Sequence, residues 1–213
     1  MKLLSVNLGK ARIVEAGPRL VETSIYKLPL DNPVQITVNG LQGDTISNTK
    51  DHGGPDQAVY LYGSLDYDWW SAALGKTLEP GTFGENLTIS DLESASLHIG
   101  DRLHIGSVLL EITAPRIPCV VFALRMNDPA WLKRFRKAER PGLYCRVIEP
   151  GKVQVNDPVT LEPYTQPTVT VLEVFRGYYD NDLSEDDLRR TLATPIAIRA
   201  RQDYEERLAA ITT

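Results

Sequence analysis

Three dipeptides do most to restrict what this chain can become. Gly43-Asp44, Gly100-Asp101 and Asn156-Asp157 each fall beside short runs rich in Val, Ile, Leu and Thr. Gly and Asn tolerate positive φ, and the Asp carboxylate bonds nearby backbone N–H groups, so each pair reverses the chain. Runs punctuated in this way read as strands of a barrel or sandwich. They are expected at Leu3–Leu8, Val34–Val38, Ala58–Tyr62, Ser96–Ile99, Ser107–Thr113, Leu143–Ile148 and Pro158–Pro163.

A few helices interrupt that pattern. Ser64 is placed to cap Leu65–Leu74, and Asp128 with Pro129 to open Pro129–Lys137. After Pro163 and Pro167 the β pattern stops. Helical segments follow over Val169–Tyr178, over Leu188–Leu192 behind Ser184 and Asp187, and over Ile196–Ile211 behind Thr194-Pro195. The expected organisation is mainly β over residues 1–163, followed by three helices over residues 166–213. A tail of about 45 residues rarely sustains its own core, so it should pack on the barrel or on a second subunit.

Composition removes several functions. Lys and Arg total 23 against 28 Asp and Glu, a net charge of −5. Duplex binding usually needs a broad basic surface, so a nucleic acid polymer is not the expected partner. The basic run Trp131–Arg140 reads as a solvated helix face, or else as a local anion site or docking surface. No apolar stretch approaches the roughly 18 residues of a membrane span, so no membrane partner is expected. Residues Met1–Leu8 turn polar too soon for a secretory signal. Two cysteines, Cys119 and Cys145, make no disulfide framework and suit a reducing, cytoplasmic setting.

Four segments could carry chemistry. In Lys50-Asp51-His52-Gly53-Gly54-Pro55-Asp56, Gly53 and Gly54 let the backbone approach an anion, Lys50 adds charge, and His52 is a candidate proton donor. The same residues would equally suit a plain turn. In Gly81-Thr82-Phe83-Gly84-Glu85-Asn86, the loop could close over a flat heterocycle, with Asn86 reading its edge, or Phe83 could plug the core. In Pro115-Arg116-Ile117-Pro118-Cys119, two prolines stiffen the chain and deliver one thiol to a fixed place. If Val120–Met126 is helical, Cys119 sits at its start beside Arg116, where a thiolate is favoured as nucleophile or soft metal ligand. A buried structural cysteine is the alternative. In Gly142-Leu143-Tyr144-Cys145-Arg146, alternation puts Tyr144 and Arg146 on one face and Cys145 on the other, which reads as core. Arg146 could serve a phosphate or a surface ion pair. No C-x-x-C, G-x-S-x-G, Walker or G-x-G-x-x-G pattern is present.

In this order, Gly40-Leu41-Gln42-Gly43-Asp44, the Lys50–Asp56 segment, Gly81–Leu87, Pro115–Cys119, Gly142–Val147 and Pro150–Val153 resemble the MOSC proteins, named for the C-terminal domain of molybdenum cofactor sulfurases. The helical tail resembles the 3-alpha domain of their YiiM-like branch. The resemblance implies a MOSC-type β-barrel that binds a molybdopterin-type molybdenum cofactor, with Cys119 as protein ligand to the metal and His52 assisting catalysis. Lys27, Lys50, Gly53, Gly54, Asp56, Phe83, Gly84, Glu85, Asn86, Arg116 and Arg146 are the implied cofactor-binding set. It further implies reduction of small N-hydroxylated substrates, such as N-hydroxylated purines and amidoximes, with electrons from an external reductase. No PLP is expected, and a homodimer is the expected assembly. Within the family, a persulfide carrier on Cys119 or a cofactor-delivery module are the alternatives.

Overall fold

The computed structural model describes residues 1–47 and 53–212. The chain opens with β1 (Leu3–Leu8), a hairpin of β2 (Arg12–Ala16) and β3 (Arg19–Thr23), and the short strands β4 (Leu28–Leu30), β5 (Val34–Thr37) and β6 (Gly40–Leu41). A 3-10 turn at Pro55–Gln57 leads into β7 (Val59–Gly63), α1 (Ser64–Leu74), β8 (Leu87–Ile89), β9 (Arg102–Ile105) and β10 (Val108–Pro115). Helices α2 (Val120–Met126) and α3 (Trp131–Ala138) precede β11 (Leu143–Glu149), β12 (Gly151–Val153) and β13 (Val159–Glu162). The tail forms α4 (Val171–Gly177), α5 (Glu185–Leu192) and α6 (Ile198–Thr212).

The main sheet has eight strands in the order β13-β9-β10-β11-β7-β8-β1-β4. All its pairs are antiparallel except β7 with β8, which run parallel because α1 and the following loop return the chain to the same end. This corrects the expected mainly β barrel. Helix and strand each occupy about 30% of the chain, and the sheet stays open between β4 and β13. The start of the chain meets the far edge at a bridge, Lys2 to Pro158, with Leu3 N donating to Asp157 O and Val159 N to Met1 O. The expected strand at Ser96–Ile99 is instead the end of a 3-10 turn, from which His98 bridges to Thr170 of the tail.

The three turn pairs behave alike. Gly43, Gly100 and Asn156 all have positive φ, at 89°, 94° and 74°, so Asn156 does the work of a glycine. The following carboxylates then take backbone donors: Gly9 N on Asp44, His98 N on Asp101 and Gln154 N on Asp157. Ser64, by contrast, does not cap α1. Gly63 holds the cap position, and the Ser64 hydroxyl accepts from Asp91 N.

Two cores form, and they are chemically distinct. Aliphatic side chains of the sheet, among them Leu3, Val6, Leu61, Leu110 and Ile112, make one. Tyr62, Trp70, Phe83, Phe122, Trp131 and Phe135 make the other, an aromatic core beneath α1, α2 and α3. Each such side chain contributes about 1.5–3 kcal/mol on burial. Trp131 and Phe135 face inward one turn apart, which leaves the cations of α3 on the solvent side. The tail belongs to both cores: Val171 and Val174 pack with the sheet, Phe175 with the aromatics. It therefore packs on its own chain.

Candidate functional site

A cleft of about 920 Å³ opens where β10 runs into Pro115–Val121, between the β2–β3 hairpin and the tail. Strand β10 is buried along all eight residues and ends at Pro115, so the segment that follows starts from a rigid base. Cys119 is the N-cap of α2, half-buried, with its carbonyl accepting from Phe122 N and Ala123 N. Its thiol is thereby presented on the cleft wall beside Arg116.

Arg116 is buried and lies over the rings of Phe122 and Tyr60, at 4.2 and 5.0 Å. Nη1 donates to Phe83 O at 2.5 Å, while Nε has no partner among the described residues. Burial alone would favour loss of its proton, but Tyr144, Tyr60 and Cys119 around it hold the pKa up, so Arg116 stays charged. Lys27 lies on the same wall with Nζ 2.6 Å from Asp44 Oδ1. Burial pulls its pKa down against the pull of Asp44. Asn86 ties this pair to the sheet, donating to Asp44 Oδ2 at 2.8 Å while its Oδ1 accepts from Tyr60 N. Gly84 is required here: it has φ of 74°, and a Cβ would meet Ile25 Cγ1 at 2.7 Å and the Arg116 guanidinium at 3.3 Å.

The expected site residues thus separate into groups. Cys119, Arg116, Lys27, Gly53, Gly84 and Asn86 share the cleft. Lys50 and His52 lie outside the described residues. Gly54, Phe83, Glu85, Asp56 and Arg146 are absent from the cleft wall. Phe83 is fully buried and stacks on Tyr62 at 4.3 Å, the plug that the sequence left open. Glu85 Oε1 gathers Tyr67 Oη, Gly81 N and Thr88 Oγ1 at 2.6–2.8 Å, fixing the 81–88 turn from inside. Asp56 and Arg146 pair at 3.1 Å and hold the tail: Asp56 accepts from Ile198 N, and Arg146 donates to Pro195 O.

Several wall residues were not singled out in the sequence. Arg19 and Glu22 come from the hairpin, and Tyr178, Arg199, Asp203 and Tyr204 from the tail. The signal for the last group was present. Ala197, Ala200 and Tyr204 recur at helical spacing, a stripe that reads as packing until the sheet is seen beneath it. Among the described residues no group of three or more His, Cys, Asp or Glu could hold a metal. Also among them, no helix is long and apolar enough to cross a membrane.

The MOSC domain family matches residues 48–160 of the chain. An uncharacterized protein of Bacillus subtilis, YflK, is 33% identical over 151 residues, 71% of this chain and 68% of its own length. A protein named "Reductase" from Gibberella moniliformis is 33% identical over 82% of this chain, which spans only 31% of that protein. Protein YiiM of Escherichia coli is 28% identical, covering 84% of this chain and 81% of its own. The crystal structure of YiiM from Geobacillus stearothermophilus superposes with a TM-score of 0.80 at 25% identity, covering 97% and 98% of the two chains. From the matched segment, the identities and the shared architecture, the chain belongs to the MOSC domain family and is YiiM-like.

Proposed function

We propose that this protein binds a molybdopterin-type molybdenum cofactor in the cleft and reduces small N-hydroxylated compounds to the corresponding amines or amidines. The observation that carries the reading is the Cys119 thiol on the cleft wall beside the buried, charged Arg116. The donor set fits the group. One thiol, with no cluster of three or more His, Cys, Asp or Glu among the described residues, suits a metal that arrives in its own dithiolene, to which Cys119 would add a soft donor. The Nε of Arg116, without a partner among the described residues, and Lys27 suit an anionic pterin phosphate, and Gly53 and Gly84 leave room for it to come close. Bound there, the cofactor supplies a metal that passes two electrons to the N–O bond.

The chain's own residues then orient and exclude water. The reaction consumes two protons and two electrons, releases water and leaves an N–H in place of the N–OH. Burial pushes the Tyr144 phenol above its ordinary pKa, so this wall residue keeps its proton and can donate a hydrogen bond to the departing oxygen. His52 is the proton donor in this proposal, with its proton and the second one replenished from solvent. Electrons come from a separate reductase.

The test is protein made in a cofactor-competent host, assayed for molybdenum per chain and for reduction of N-hydroxylaminopurine with a chemical reductant. Stoichiometric metal with turnover supports the reading. Metal-free protein carrying labile sulfur on Cys119 would replace it with a sulfur carrier, and cofactor without turnover with a delivery module.

A further inference from the structure

The tail does more than cover the sheet. Tyr178, at the end of α4, and Arg199, Asp203 and Tyr204, on α6, form one side of the cleft whose other side carries Cys119 and Arg116. Helix α6 is set rigidly for this. Ala197 N donates to Thr113 O at 3.0 Å, and Ile198 N to Asp56 Oδ2 at 2.7 Å. Arg199 donates to Gly53 O and Gln57 Oε1, tying the first turn of the helix to the loop before β7.

On this anchored wall two groups stand ready for a ligand. Asp203 has a half-exposed carboxylate whose contact among the described residues is Arg207, one turn away at 3.5 Å. Arg207 is itself occupied, with both Nη atoms donating to the carbonyls of Gly177 and Asp180. A carboxylate so weakly held retains acceptor capacity. Tyr178 is 56% exposed, and its ring meets that of Tyr179 edge to face. A ring face and an acceptor on one wall suit a planar heterocycle that carries an N–H donor.

We infer that the tail wall is the specificity subsite of the cleft, with Asp203 accepting from a ring N–H of a planar nitrogen heterocycle and Tyr178 packing against its face. The inference rests on the proposed function only for which end of the substrate reacts. With the N-hydroxylated nitrogen toward Cys119, the ring N–H on the opposite edge of a purine falls to the tail. Substrates lacking a donor on that edge would still react but would be held more weakly.

Binding of adenine and 9-methyladenine to the full-length protein by calorimetry tests this without turnover. The wild type should bind adenine about tenfold more tightly than its methylated analogue, the effect of one hydrogen bond to a charged acceptor. Asp203→Ala, which removes the acceptor, should bring the two ligands together, Tyr178→Ala should weaken both equally, and thermal melting should show all variants folded. Wild type isolated without molybdenum should keep the adenine preference, so failure of the redox reading leaves this result standing. Equal binding of the two ligands by the wild type, or an unchanged preference in Asp203→Ala, would overturn the inference.

Discussion

Cys119 and Cys145 share a chain but not an environment. Cys119 stands half-buried on the cleft wall, whereas Cys145 is fully buried on β11 and burial pushes its thiol up. Cys119→Ser should abolish reduction with little change in melting temperature, because a near-isosteric swap in a site loop leaves no cavity. Cys145→Ser should cost about 1–3 kcal/mol through an unpaired hydroxyl while activity per folded molecule survives. Melting curves run beside N-hydroxylaminopurine reduction separate the two, and full activity in Cys119→Ser would remove the ligand assignment. Glu85 gives a pH signature. Burial raises its pKa from 4.5 in spite of the bonds from Tyr67, Gly81 and Thr88. A carboxyl raised in the folded state contributes fully below its unfolded pKa and loses that contribution as pH climbs through the folded value. Glu85→Gln, which keeps an acceptor and never ionises, should therefore gain on the wild type as pH climbs above the ordinary carboxylate range in denaturant titrations. A gap that widens against the Gln variant would show that Glu85 is held as a stabilised anion.

At the scale of elements, the clasp on α6 is the part most open to test. Arg146 pairs with Asp56 and Glu111 and donates to Pro195 O. Arg146→Met should cost about 2 kcal/mol, since Asp56 is partly wet and the buried Glu111 keeps its pair with Arg102. Amide exchange should quicken at Ala197 and Ile198 before it does in β10; uniform quickening would mean that no local clasp exists. The strands with a buried face were legible because their patterns were strict: β10 and β11 fall within two residues of their expected bounds. The β2–β3 hairpin was not. Both of its strands are largely exposed on both faces, so no alternation marks them. Arg146 could be read as a phosphate ligand, and Asp56 was placed in the implied cofactor-binding set, for a related reason: a charge reads the same in sequence whether it meets a ligand or a partner side chain. The thiol that follows two prolines was legible because rigidity and chemistry coincide there. The tail's share of the cleft was not, since it depends on how α6 lies across the sheet.

Across the whole molecule, α4 is the joint. Its Val171 and Val174 enter the aliphatic core and its Phe175 the aromatic one. We expect one cooperative unfolding transition, with Trp fluorescence, reporting Trp70 and Trp131, coinciding with helical circular dichroism. An earlier loss of helix signal would mean that the tail unfolds by itself. The acidic chain also encloses a cleft with Arg19, Lys27, Arg116 and Arg199 on its walls, so the net charge of −5 says little about the ligand. The central claim is that Cys119 completes the coordination of a molybdenum held in that cleft. X-ray absorption at the molybdenum edge, on wild type and Cys119→Ser loaded in the same host, tests it directly. The account predicts one sulfur neighbour fewer in the Ser variant; an identical sulfur shell in the two proteins would contradict it.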